Sequence, residues 1–398
     1  MLAELFSILI GCILGIITGL TPGLHINLIA SIILTLSNFL LKYTSDLNLI
    51  IIIISMSITH LFLDILPSIF LGIPNEDTAV TILPAHKLLL EGKAQEAVFL
   101  TLIGLIFSII LICIFIPILI LMLPKINIFV KNHTHIILIL LSIILILREK
   151  KRFLTLTIFI LAGALGFITL NMSNLEEPLL PLLSGLFGLS SLILSIKNNT
   201  KIPEQITQNL KIEFKKIKFV FLGFMAGLFS AFLPGLGASQ TSVLVSSIIR
   251  KIESKDFLIL NSSINSVNLI GSFITLFAIN KARSGIAVAI SQLTNLTLNK
   301  LILIFSVILI TIFIATILTI LFSRIFSKLI SQINYRKLCY SIIVLITILV
   351  LIVSKPIGLI ILITSTSLGV YTQLKEVNKN HLMGCLLLPV IMYFLFNF

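Results

Sequence analysis

Charge is scarce in this chain. Asp, Glu, Lys and Arg make up 11% of its 398 residues, against about 25% in a soluble globular domain. Hydrophobic residues make up 58%, and the mean hydropathy is +1.19. These values exclude a water-soluble protein and imply a polytopic membrane protein. The net charge of +13 has no basic soluble domain to carry it, so nucleic acid is excluded as a partner. Paired cysteines are lacking too: Cys12, Cys113, Cys339 and Cys385 lie singly in apolar segments, which implies neither a disulfide frame nor a zinc site. There is no Gly-x₄-Gly-Lys-Ser/Thr loop for ATP and no His-Glu-x-x-His or clustered Asp for a metal. No catalytic residue, metal or cofactor is expected beyond a coupling ion. Leu9-Ile10-Gly11-Cys12 resembles a lipoprotein cleavage box. Glu4 stands where a basic segment belongs, though, and the apolar run continues, so the first span is expected to direct insertion uncleaved.

What the chain does have is long apolar runs. A spanning helix needs about 20 apolar residues. The runs are 3–20 and 23–41, split by Thr21-Pro22; then 48–72, 96–123, 134–147, 153–170 and 178–196. A polar stretch follows from Lys197 to Lys218. The order then repeats as 219–233 and 235–249, split by Pro234, and 257–280, 299–323, 338–353, 356–372 and 382–397. Basic residues cluster at Arg148–Arg152, at Lys197–Lys218 and at Arg324–Lys337, while Glu176 and Glu177 lie between the first two clusters. The positive-inside rule puts the clusters in the cytoplasm and the acidic pair outside. If each Pro-Gly pair turns a hairpin that enters and leaves on one side, an odd number of crossings remains per half. The halves then have inverted topology, with both termini outside. Lys125, Lys131, Lys281, Arg283 and Lys300 fall on the outer side against the rule. The expected division is a first membrane repeat, 1–197, a basic cytoplasmic linker, 198–212, and a second membrane repeat, 213–398.

The two interruptions repeat each other at a spacing of 212 residues. Gly11, Gly15, Pro22, Gly23 and Leu24 recur as Gly223, Gly227, Pro234, Gly235 and Leu236. Irregular backbone in hydrocarbon survives only where protein or a water-filled cavity covers it. Matching broken segments in two halves point to a transporter's binding site. The half-helix that follows each break exposes its first N–H groups and its positive dipole end, which suit a carboxylate or phosphate. The substrate-binding candidates are Thr21, Pro22, Gly23, His25 and Asn27 at the first break. At the second they are Pro234, Gly235, Gly237, Ser239, Gln240 and Thr241, with Ser242 beside them.

A polar stripe follows each break. At an offset of 208 residues, Ser57, His60, Asp64 and Pro67 match Asn265, Asn268, Ser272 and Thr275, with Asn261 extending the second stripe. The spacing i, i+3, i+7, i+10 is one face of a helix. Asn265 and Asn268 join the substrate-binding candidates. His60 and Asp64 are four apart and can meet; as an ionisable pair inside the membrane they are the candidates for Na⁺ or H⁺ coupling. A plain interhelical hydrogen bond is the alternative. Arg283 offers a bidentate partner for a carboxylate, or an interfacial anchor. Pro84–Gly92 reads as a short amphipathic helix stopped by Gly92.

Pro22-Gly23-Leu24, Pro234-Gly235-Leu236-Gly237, Leu71-Gly72-Ile73-Pro74 with Pro84–Gly92, and Met383–Val390 resemble the large membrane subunit of the tripartite tricarboxylate transporters, in its archaeal-type branch. The resemblance covers most of the chain. It implies ion-driven transport of organic anions, with a small membrane subunit and an extracytoplasmic solute-binding protein as partners. The chain departs from the bacterial pattern in having His25 after the first Pro-Gly-Leu and no Gly-Gly around Ile65–Phe70. The expected fold is all-α: two inverted repeats, each a Pro-Gly-broken hairpin plus about five spanning helices. The expected function is secondary transport of a small di- or tricarboxylate across the cytoplasmic membrane by alternating access, and not catalysis. A translocase of a lipid-linked or phosphate-bearing carrier is one alternative. An intramembrane enzyme, with His60 and Asp64 as its one close pair, is another.

Overall fold

A computed structural model describes residues 2–21, 26–73, 78–175, 177–197, 203–205, 216–233, 236–249, 252–332 and 335–396. The fold is all-helical. The helices are α1 (Leu2–Leu20), α2 (Ile26–Thr35), α3 (Ser37–Leu40), α4 (Asp46–Leu63), α5 (Ile82–Leu90), α6 (Ala94–Leu147), α7 (Arg152–Leu170), α8 (Leu179–Leu183) and α9 (Ser190–Lys197). The second half adds α10 (Ile217–Phe232), α11 (Ala238–Ile248), α12 (Ser254–Ile279), α13 (Gly285–Leu293), α14 (Leu298–Gln332), α15 (Tyr335–Leu374) and α16 (Gly384–Phe396). π-Helical turns extend α4 (Pro67–Leu71) and join α8 to α9 (Ser184–Leu189). Among the described residues, 8 helices are long and apolar enough to cross a membrane.

The spans read from the sequence fall on these helices with one merger. The runs 96–123 and 134–147 form a single helix of 54 residues, with Pro117 and Pro124 inside it. At 1.5 Å per residue it is about 80 Å long, far beyond one crossing. No glycine lies between Pro124 and Leu147 to turn the backbone, and a proline inside a helix kinks it more readily than it ends it. Lys355 does divide α15, with φ of 59°, just before Pro356, where the sequence separates 338–353 from 356–372.

The repeat is present in the packing as well as in the sequence. Lipid supplies no hydrophobic force between helices, so close approach through small residues must hold them together. An added Cβ on Gly11 would meet the Ile52 oxygen and Ser55 Cβ at 2.6 Å, and on Gly15 the Met56 oxygen at 2.7 Å. Gly223 and Gly227 put α10 in the same register on α12. Added carbons there would meet Ser263 Cβ at 2.5 Å, Leu260 O at 2.8 Å and Ile264 O at 2.9 Å. Ser55 and Ser263 are themselves 208 residues apart.

Beyond these two helix pairs, equivalent elements exchange partners between the halves. α6 lies on α12, and α14 lies on α4. The turn at Ala79–Thr81 touches α11 and α12, while α13 packs on α2 and α4. α7 packs on α16, and α15 on the α8–α9 segment. Side chains fasten these crossings. Ser108 and Ser266 share a hydrogen bond of 2.6 Å, and Thr319 donates to the Phe62 carbonyl at 3.1 Å.

An ion pair marks the start of each exchange, with its charges reversed. Lys300 in the first turn of α14 meets Asp46 in the first turn of α4 at 3.3 Å, and Lys255 of α12 meets Glu96 of α6. Such partly exposed pairs contribute about 0–1 kcal/mol, so they mark register more than they stabilise. Lys300, which offends the positive-inside rule, thus has an acidic neighbour. From the linker, Gln205 accepts a hydrogen bond from the Ala94 N–H at 3.0 Å and occupies the bare N-terminus of α6.

The α6–α12 crossing is tightest at Gly104, where an added Cβ would collide with Ser262 Oγ and the Ile259 carbonyl. Gly104→Val should therefore destabilise the fold by about 1–3 kcal/mol, read as a lower apparent Tm of the purified protein in detergent. An unchanged Tm would mean that this crossing is loose.

Candidate functional site

A helix ends before each Pro-Gly pair and another starts after it. α1 stops at Leu20 and α2 starts at Ile26; α10 stops at Phe232 and α11 starts at Ala238. The second interruption has extended backbone on each side, at Leu233 (ψ 121°) and Gly237 (ψ 179°). Pro22, Gly23, His25, Pro234 and Gly235 lie outside the described residues, as does the side chain of Asn27 in the first turn of α2. Thr21 is exposed, and its N–H bonds the Ile17 carbonyl at 3.1 Å.

The helix that leads into each break lies against the middle of a polar stripe. Gly19 packs over the backbone of His60, with an added Cβ 3.1 Å from its oxygen. In the second half Ser230, one turn before the break, donates to Asn268 Oδ1 at 2.8 Å. His60 and Asn268 are repeat mates. The structure thus seats α1 on the first stripe and α10 on the second.

His60 and Asp64 are both buried, with His60 Nε2 3.9 Å from Asp64 Oδ2. That is charge–charge range, longer than a hydrogen bond. Asp64 also ends α4: its N–H bonds the His60 carbonyl at 2.8 Å, and Pro67, which has no N–H to donate, starts the π-helical turn. That turn closes on Gly72 at φ 68°, in the left-handed region that favours glycine.

The polar residues of α11 point into protein. Gly237 offers no side chain to cap the helix, so the first N–H groups have no cap from it. Ser239, Gln240 and Thr241 are all buried, Gln240 at 3% exposure and Thr241 at 2%. Gln240 Oε1 and Thr241 Oγ1 have no hydrogen-bond partner among the described residues. Polar atoms so placed cost free energy unless something pairs with them. Ser242 is tied down, donating to Asn261 Oδ1 of α12 at 2.6 Å. Asn265 lines a small cavity between α4's π-helical turn, α6 and α12.

Arg283 precedes α13, whose N-terminus is capped by Ser284 accepting from the Ala287 N–H at 3.2 Å. Arg283 is half-buried, and its Nε has no partner among the described residues. Burial lowers its pKa, yet a guanidinium keeps its charge. No described contact joins it to Gln240 or Thr241. Sequence reasoning missed Ser68, Thr78, Thr81 and Thr101, which share the cavity with Asn261 and Asn265. Their signal was an asymmetry: the repeat mates of Ser68, Thr78 and Thr81 are Leu276, Ile286 and Ala289. Among the described residues, no group of three or more His, Cys, Asp or Glu is placed to hold a metal ion.

A family model described as the tripartite tricarboxylate transporter TctA family matches residues 5–384. The chain belongs to this family. An uncharacterised protein of Methanocaldococcus jannaschii is 33% identical over 372 residues, covering 91% of this chain and 93% of that one. This archaeal relative agrees with the archaeal-type motifs at Met383–Val390. No solved structure matches the chain. As a TctA-family protein with several apolar helices, it is a multi-pass membrane protein of a transporter family.

Within the TctA-family fold, the Ser242–Asn261 bond ties α11 to α12. Ser242→Ala and Asn261→Leu should each lower the apparent Tm, and the double variant should fall short of their sum by about 0.5–1.5 kcal/mol. Strict additivity would show that the two side chains do not interact.

Proposed function

We propose that the chain is an ion-coupled secondary transporter of a small organic anion, a di- or tricarboxylate, across the cytoplasmic membrane. The observation that carries this reading is the start of α11. A helix N-terminus with no side-chain cap lies beside Gln240 Oε1 and Thr241 Oγ1, which have no hydrogen-bond partner among the described residues. N–H groups, a hydroxyl and an amide turned to present its NH₂ would together receive a carboxylate. Its counterpart is the α1–α2 break against His60. The substrate would sit between the two tips, with Asn265 and Asn268 along one wall and Arg283 adding charge from the end of α12.

The exchanged packing supports alternating access. The Asp46–Lys300 pair joins the starts of α4 and α14, and the Lys255–Glu96 pair joins the starts of α12 and α6. α4 with its π-helical turn covers 26 residues, long enough to cross, and leads through α5 to the start of α6. In this reading the two pairs lie at opposite faces and α4 and α12 run in opposite directions, which is the inverted-repeat arrangement. His60 and Asp64 would couple the ion gradient to the movement. The family name implies a three-part system, so a small membrane subunit and an extracytoplasmic solute-binding protein are the expected partners.

Proteoliposomes with imposed Na⁺ or H⁺ gradients should accumulate labelled di- or tricarboxylates, with solute-binding protein added where needed. Replacing Pro22-Gly23 and Pro234-Gly235 by Ala-Ala should abolish uptake; uptake equal to the native protein would remove the site. Asp64→Asn should abolish gradient-driven uptake while exchange persists. Unchanged driven uptake would reduce the His60–Asp64 pair to a packing contact.

A further inference from the structure

A cleft of about 550 Å³ lies between α5 and α9, with Gly72 and Gln373 completing its lining. α5 packs on α6, α12 and the π-helical turn of α4, while α9 packs on α15. Most of the wall is hydrocarbon: Ile82, Leu83 and Leu90 on one side, Leu192 and Leu194 on the other. Leu83 is 48% exposed and Lys87, one turn on, is exposed as well, so the cleft opens at the surface.

The charge around it is positive. Lys87 lines the cleft and has no ion-pair partner among the described residues. Glu91, the one carboxylate in the lining, is held by Lys93 at 3.1 Å. A second cation reaches the cleft through Ser191. Lys379 is 5% exposed, and its ammonium donates to Ser191 Oγ and to the Phe187 carbonyl at 3.3 Å. It lies near enough to His86, also in the lining, for its charge to be felt there. No carboxylate among the described residues pairs with it. A buried ammonium without a counter-charge is costly unless an anion comes close.

The wall decides which anion. A di- or tricarboxylate would set two or three charges against leucine and isoleucine, which burial penalises. A helix about 10 Å across is too thick for the space. An anionic phospholipid brings one phosphate for the lysines and hydrocarbon for the wall. Gly92, where α5 stops, lies against the linker: an added Cβ would meet the Glu204 carbonyl at 2.9 Å. By the positive-inside rule that end faces the cytoplasm, the leaflet whose anionic lipids attract basic residues. The other half has no such site. At the 208-residue offset His86 and Lys87 match Thr294 and Asn295, and the base that follows, Lys300, is paired with Asp46. We infer that the cleft between α5 and α9 holds one anionic phospholipid of the cytoplasmic leaflet, with Lys87 and Lys379 supplying the charge for its phosphate. The lipid bridges α5, which links α4 to α6, and the α8–α9 segment. This site goes beyond the transport reading and does not rest on it.

The test uses the full-length protein purified in a neutral detergent. Phosphatidylglycerol should raise the apparent Tm in a saturable manner, while phosphatidylcholine and inorganic phosphate at the same concentrations should not. Lys87→Gln should raise the concentration for half-saturation about fivefold, and Lys379→Met by at least as much. Lys125→Gln, on α6 and not in the lining, should leave it unchanged. Equal shifts from the two lipids would overturn the site, and so would a shift from inorganic phosphate as large as that from phosphatidylglycerol. A response that survives Lys87→Gln, or that Lys125→Gln weakens equally, would reduce the effect to diffuse attraction and overturn it too. Should Lys379→Met fail to fold, the exposed Lys87→Gln and the lipid selectivity still decide.

Discussion

The structure depends on one constraint: peptide groups inside hydrocarbon must find partners within the protein. A helix meets that demand by itself, and an interrupted helix does not. The chain interrupts itself near Pro22 and again near Pro234, and both times it brings a glycine-lined helix hard against a neighbour. Gly11, Gly15 and Gly19 let α1 lie on the backbone of α4, and Gly223 and Gly227 let α10 lie on α12. α4 and α12 cover the helix ends that lead into these breaks, at Gly19 and Ser230. The polar residues of the two stripes then stand where main-chain groups are released from helical bonding.

From this cover follows the rest of the architecture. α4 and α12 are the most enclosed spans, with 94% and 78% of their apolar windows buried, against 28% for α6. Helices that must shield a break cannot also face lipid. They are enclosed by α14 and α6, each drawn from the opposite half. A small cavity, lined by Ser68, Thr78, Thr81, Thr101, Asn261 and Asn265 beside Ile65, Ile69, Leu105 and Leu258, forms where these layers meet, and the two halves differ there in chemistry.

Much of this could be read from the sequence. Hydropathy located nearly every helix, because the hydrophobic runs end at prolines, glycines and charged loops. The 208-residue offset that pairs His60 with Asn268 also pairs their structural settings. The sequence did not disclose the joining of 96–123 with 134–147, since the residues after Pro124 carry polarity without a turn signal. Nor did it disclose the exchange of partners, because a hydrophobic face does not say which helix covers it. Ser68, Thr78, Thr81 and Thr101 escaped attention because a lone hydroxyl in a spanning helix usually bonds its own backbone. Ser68, Thr81 and Thr101 do so as well, while Thr78 bonds Ser68, and only their convergence in space distinguishes them.

The exchange of partners between halves sets the smallest unit that can stand alone. Cut within 198–212, the chain would not yield two modules. Without α14, α4 would expose the strip around Ser55 and Phe62; without α6, α12 would expose the strip around Ser262 and Ser266. The Asp46–Lys300 and Glu96–Lys255 pairs carry opposite polarity at the two crossings, so neither half could stand in for the other there.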